Sequence, residues 1–244
     1  MKVKSLLSHF QKTVEWSLVA KCAGLVFLAL FAFLRGGFFL WTTFFLVSLW
    51  FFYSENIERH SYKYSYSVYV ALLFLYGINI KNSVFGDGVF FFLASLLLVL
   101  WVALVRFFFK KNEIVVDILH SLLIFFSFLF SFLFPTFLSL FFASVSIGVL
   151  TFEYLSTHKF PWKPRIMFVS VVLGLFMYEL LLIVQLLPLH VIVLAGITSL
   201  AVLVIRNLFV AHFSGTLTRH FLSQNILIFI TVCIILFATG RWVI

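Results

Sequence analysis

The sequence predicts an all-α fold: a polytopic bundle of about nine transmembrane helices with its N-terminus on the inner side. Three observations carry this expectation. Of the 244 residues, 64% are hydrophobic and 10% charged, where a soluble domain has about 45–50% and about 25%. The mean hydropathy of +1.19 agrees. The apolar residues gather in runs close to the roughly 20 that a helix needs to cross about 30 Å of hydrocarbon. The cations fall on alternate connections between those runs.

The first run, 17–34, follows the basic Lys2, Lys4 and Lys12. It ends in Arg35-Gly36-Gly37 without a small-x-small cleavage site, and Phe38 begins another run. It therefore reads as a span rather than a cleaved signal peptide. Further spans are expected at 38–53, 65–80, 88–109, 114–134, 136–155, 166–187, 189–206 and 223–242. Helix is expected in each, because a backbone in lipid must satisfy its own hydrogen bonds. None of the runs shows the alternation of a barrel strand.

Pro135 and Pro188 mark tight turns, since proline cannot continue the hydrogen-bond ladder behind it. The two hairpins, LFSFLFPTFLSL and LLIVQLLPLHVI, share one orientation. An internal parallel repeat and a coincidence both account for that. In AHFSGTLTRH, Gly215 is expected to end the eighth helix in a left-handed cap, with Thr216 or Thr218 starting the ninth. Before the first span, residues 1–16 place Val3, Leu6, Leu7, Phe10 and Val14 at helical spacing. This stretch reads as an interfacial amphipathic helix. Residues 17–244 then form a single membrane domain.

Charge supplies the orientation. With the N-terminus inside, the inner segments hold Lys2, Lys4, Lys12, Arg59, Lys63, Arg106, Lys110, Lys111, Lys159, Lys163, Arg165, Arg206 and Arg219, and Lys21 joins them by snorkelling. The outer segments hold Arg35, Lys81 and Arg241. The excess of cations inside fixes a cytoplasmic N-terminus and an outer C-terminus, in an inner (plasma) membrane. The net charge of +9 then reads as topology information and attraction to anionic headgroups at the inner face. The expected partner is the lipid bilayer. Nucleic acid is not expected, because no basic cluster with interleaved aromatics lies on a long soluble segment. Cys22 and Cys233 lie in oily runs without a C-x-x-C partner and read as small hydrophobes.

Small residues recur four apart at Ala20/Gly24, Ser127/Ser131, Ser144/Gly148, Ser170/Gly174 and Ala195/Ser199. This spacing lets helix backbones approach closely in lipid, so these positions are expected at helix–helix faces.

Few residues point to chemistry. Glu179 lies about 13 residues, or about 20 Å, into the seventh helix. An ionisable group at that depth costs roughly 2.5–3.5 kcal/mol and calls for partners from other helices. Counting depth along each span places Thr198, Ser199, Thr42, Thr43, Tyr76, Ser127, Ser144 and Thr231 at a similar level. Two readings follow: a substrate or proton-handling layer centred on Glu179, or interhelical hydrogen bonds that fix packing. Ser and Thr can also bond their own backbone one turn back.

Glu113, Asp117 and His120 form one stripe in EIVVDILH. Such a stripe ligates metal in bundles that offer a matching set, and none is seen, so a structural interfacial cluster is expected. An ion pair of Glu153 with Arg106 or Arg206 is a further expectation, with both arginines snorkelling from helix ends. Ser214 beside His212 and His220 invites a hydrolase reading, but no G-x-S-x-G accompanies them. The P-loop, H-E-x-x-H and EF-hand patterns are missing, and no cofactor, metal or catalytic set is read.

From Glu179 onward the chain carries Leu186-Leu187-Pro188, Gly215-x-Leu217-Thr218 and Thr239-Gly240-Arg241-Trp242. In these it resembles uncharacterised multi-pass inner-membrane proteins of candidate-phylum bacteria. The resemblance implies no activity and singles out Glu179 and Trp242 for mutation. The function expected is that of a structural or assembly-type membrane component. The alternative is a small-solute or proton-linked transporter using Glu179.

Overall fold

The computed structural model describes residues 38–55, 63–79, 113–158 and 163–239, together with scattered positions from 23 to 37. Among the described residues every regular element is helical: α1 (Phe38–Glu55), α2 (Lys63–Asn79), α3 (Glu113–Leu133), α4 (Phe137–Thr157), α5 (Lys163–Val184), α6 (Val191–Phe213) and α7 (Arg219–Thr239). Four of them, α4 to α7, are long and apolar enough to cross a membrane, and shorter apolar stretches lie in α1, α2 and α3. The amphipathic segment 1–16 and the span expected at 88–109 lie outside the described residues.

The chain divides into two units. One comprises Met1–Glu58 with Leu73–Glu113, the other Arg59–Leu72 with Ile114–Ile244. In the first, α1 packs on the last part of α2. Phe74 meets Phe38 at 6.0 Å and Phe45 at 5.3 Å between ring centroids. A β-carbon on Gly77 would strike the indole of Trp41, so only glycine fits under that ring.

The second unit contains the hairpins expected at the prolines. Phe134-Pro135-Thr136 joins α3 to α4. Thr136 starts α4 with a reciprocal cap, its side chain accepting from the Ser139 N–H while the Ser139 hydroxyl accepts from the Thr136 N–H. The turn through Pro188 joins α5 to α6, with His190 capping α6. Pro164 sits in the first turn of α5, where a missing N–H costs nothing. Gly215 ends α6 with a φ of +72°. The Thr216 N–H returns 2.9 Å to the Ala211 carbonyl. Thr218 opens α7 by accepting from the Phe221 N–H at 3.1 Å. The left-handed stop and the threonine start are those expected from the sequence. Helix α6 runs to Phe213, past the span bound at 206 and up to the cap at Gly215.

At the α4–α5 crossing two helices meet backbone to backbone. Ser144 and Gly148 of α4 lie against Ser170 and Gly174 of α5. A β-carbon on Gly174 would sit 3.0 Å from the Ser144 carbonyl oxygen, and one on Gly148 would sit 3.1 Å from that of Ser170. The Ser144 hydroxyl donates to the Gly174 carbonyl at 2.6 Å. Two of the small pairs picked out by spacing thus form one seam.

Candidate functional site

Glu153, one turn before the end of α4, is 5% exposed and carries the densest polar contacts described. Its two oxygens receive two backbone N–H groups from the first turn of α2. Tyr64 donates to Oε1 at 2.9 Å and Ser65 to Oε2 at 2.8 Å. The start of a helix leaves N–H groups without intrahelical acceptors and carries the positive end of its dipole. A carboxylate placed there answers both.

The Ser65 hydroxyl also bonds Oε2 of Glu153. His120 approaches from α3, with Nε2 2.6 Å from Ser65 Oγ and 3.3 Å from Glu153 Oε2. Donor bookkeeping orders the chain. Ser65 gives its single proton to the Glu153 oxygen, which leaves its own oxygen to accept from His120 in the tautomer that carries the proton on Nε2. Ser65, His120 and Glu153 are all buried.

This trio is not a nucleophile relay. A relay needs the serine on one imidazole nitrogen and the carboxylate on the other. Here both meet Nε2, and both carboxylate oxygens already hold backbone donors. The arrangement is a hydrogen-bond knot tying α2, α3 and α4.

Beside the knot, Tyr154 gathers three further groups. Its ring lies 5.9 Å from His120 and 4.7 Å from His158 by centroids. The guanidinium carbon of Arg206 stands 3.6 Å above its face. Arg206 is 3% exposed, and its Nε and Nη1 have no hydrogen-bond partner among the described residues. Asp117 is the described carboxylate whose charge acts on it. The expected pairing of Glu153 with Arg206 gives way here: the carboxylate goes to the start of α2 and the guanidinium to an aromatic face. Snorkelling fails for Arg206 because α6 continues beyond it to Phe213, leaving the side chain inside the bundle. Arg106 lies outside the described residues.

No family model, curated protein or solved structure matches this chain.

The layer around Glu179 is not assembled in the way depth counting anticipates. Glu179 is on the exposed side of α5 and makes no hydrogen bond or ion pair among the described residues. Thr198, Ser199, Ser127 and Ser144 are buried, yet their hydroxyls serve backbone carbonyls. Thr198 bonds Leu194 at 2.8 Å, Ser199 bonds Ala195 at 2.5 Å and Ser127 bonds Leu123 at 2.8 Å, each on its own helix. Thr42 and Thr43 likewise bond Phe38 and Phe39, while Ser144 bonds across the seam. Thr231 is exposed. The reason lies in α5's own periodicity. Nine residues separate Glu179 from Ser170 and five separate it from Gly174, which at about 100° per residue turns it about 180° and 140° away from them. The seam faces protein, so Glu179 faces outward.

Of the stripe Glu113, Asp117 and His120, the structure brings His120 into the knot and holds Asp117 half-buried. The Glu113 side chain lies outside the described residues. Among the described residues no cluster of three metal-ligating groups forms. The Ser214 hydroxyl donates to the Val210 carbonyl at 2.8 Å, a helix-end contact. Ser65 was missed by sequence reasoning. Its only local signal is its place in the first turn of a helix, 88 residues from its carboxylate partner.

Proposed function

We propose that this chain is a structural, assembly-type component of a cell inner membrane. It is threaded nine times, with its N-terminus cytoplasmic and its C-terminus outside. The distribution of Lys and Arg supports the threading, and the resemblance of its C-terminal quarter to multi-pass inner-membrane proteins supports the location. Helices α1 to α7 fall where seven of the nine spans are expected, and four of them, α4 to α7, are long and apolar enough to cross a membrane, which supports a multi-pass chain.

The observation that carries the role is the use made of Glu153. The best-built polar constellation among the described residues places its carboxylate at the start of a neighbouring helix, which is scaffold work. The serines and threonines of the expected layer bond backbone in the same spirit. The outward placement of Glu179 weighs against transport through that residue.

Photo-crosslinking groups at Leu227 and Ile234, on the exposed side of α7, test the role in living membranes. An assembly component gives one discrete protein adduct from both positions. Adducts to lipid alone, with solute or proton flux through the purified chain in liposomes, would sink the reading.

A further inference from the structure

Where the first turns of α5 meet the last turns of α6, the surface folds into a groove of about 470 Å³. Its lining comes in two levels. At the helix ends stand Arg165 of α5 and His212 of α6, both exposed. Three and four residues further into the helices stand Phe168 and Val169 on α5, and Phe209 on α6. Spacings of three and four keep these residues on one helix face, about one turn or 5 Å below the cations. The floor is firm, because Val169, Phe209 and Phe213 pack against the buried Tyr154, Leu155 and Ile166.

We propose that this groove is a binding site for one anionic phospholipid, with its phosphate at Arg165 and His212 and an acyl chain lying over Phe168, Val169 and Phe209. The order of the two levels decides the ligand. A cationic rim above an aromatic trough matches an anionic head joined to a hydrocarbon tail. It occurs at the ends of two helices apolar enough to span a bilayer, where headgroups and chains meet. A guanidinium offers a phosphate two parallel donors; in a zwitterionic headgroup the ammonium offsets the phosphate's charge, and in an anionic headgroup nothing does. Phe168 is 69% exposed beside the cation, a cost in water and a contact surface for a lipid chain. The inference rests on α5 and α6 being membrane spans and is independent of the assembly role.

The test uses the full chain, purified in detergent and stripped of lipid, with native mass spectrometry as the readout. Insertion is checked first, by resistance of the cellular protein to carbonate extraction; failure there overturns the membrane reading itself. Short-chain phosphatidylglycerol is expected to form a single retained adduct, about tenfold tighter than phosphatidylcholine, the gain of one charge-assisted contact. Arg165→Gln should remove that preference, and His212→Gln should reduce it. Phe209→Ala should weaken both lipids alike. Lys163→Gln, an exposed cation of the same turn that does not line the groove, should change nothing. Equal losses from Lys163→Gln and Arg165→Gln would mean diffuse charge attraction and would overturn the site. So would displacement of the lipid by inorganic phosphate at equal concentration, which would mark an anion site without a tail.

Discussion

Helix α4 and helix α7 are both 21 residues long and both apolar enough to cross a membrane, yet the structure treats them oppositely. Eleven residues of α4 are buried, and five of these are Ser, Thr or Glu. No residue of α7 is buried. In water the oilier helix would go inside. In lipid the solvent is itself apolar, so burial follows close packing and hydrogen bonding rather than hydrophobicity. Helix α4 earns its interior place through Ser144, Gly148 and Glu153, while α7 offers Leu, Ile and Phe that hydrocarbon solvates equally well.

The contrast can be broken hardest at Glu153. Glu153→Ala leaves two backbone N–H groups and the Ser65 hydroxyl without their acceptor. A loss of about 3–5 kcal/mol is expected, read from reversible unfolding in mixed detergent micelles. Glu153→Gln, keeping one carbonyl oxygen, should fall between the wild type and alanine.

The seam comes next. Gly174→Ala pushes a methyl to 3.0 Å from the Ser144 carbonyl oxygen, and overpacking of that kind costs about 1–3 kcal/mol. The same assay measures it. An unchanged midpoint would show that α4 and α5 slide apart freely. Ser144→Ala removes only the hydroxyl bond to the Gly174 carbonyl and should cost about 0.6 kcal/mol.

At the far end of the scale lies the uncovered side. Leu227→Val on α7 and Glu179→Gln on α5 should each move stability by less than about 0.5 kcal/mol. A large loss from Glu179→Gln would place that carboxylate in a protein contact and reverse the comparison for α5.

Local signals in the sequence were dependable. The proline turns, the left-handed Gly215, the Thr218 start and the pairs Ser144/Gly148 and Ser170/Gly174 each depend on residues a few positions apart. The knot was illegible because Ser65, His120 and Glu153 belong to three helices, and spacing within one helix says nothing about which neighbour it meets. Glu179 is the instructive case. Depth placed it among the hydroxyls, but depth leaves rotation about the helix axis open. The rotation was present in the sequence all along, since the small residues of α5 mark the protein-facing side and Glu179 lies opposite them.

The acceptor for the first turn of α2 is made late. Ser65 precedes Glu153 by 88 residues. At about 5–20 residues per second, a ribosome takes about 4 to 18 s to cover that distance. Throughout that interval the beginning of α2 has to keep its donors hydrated or sheltered by the insertion machinery. Emergence of α4 therefore sets the earliest moment at which this part of the protein can leave its site of synthesis in finished form.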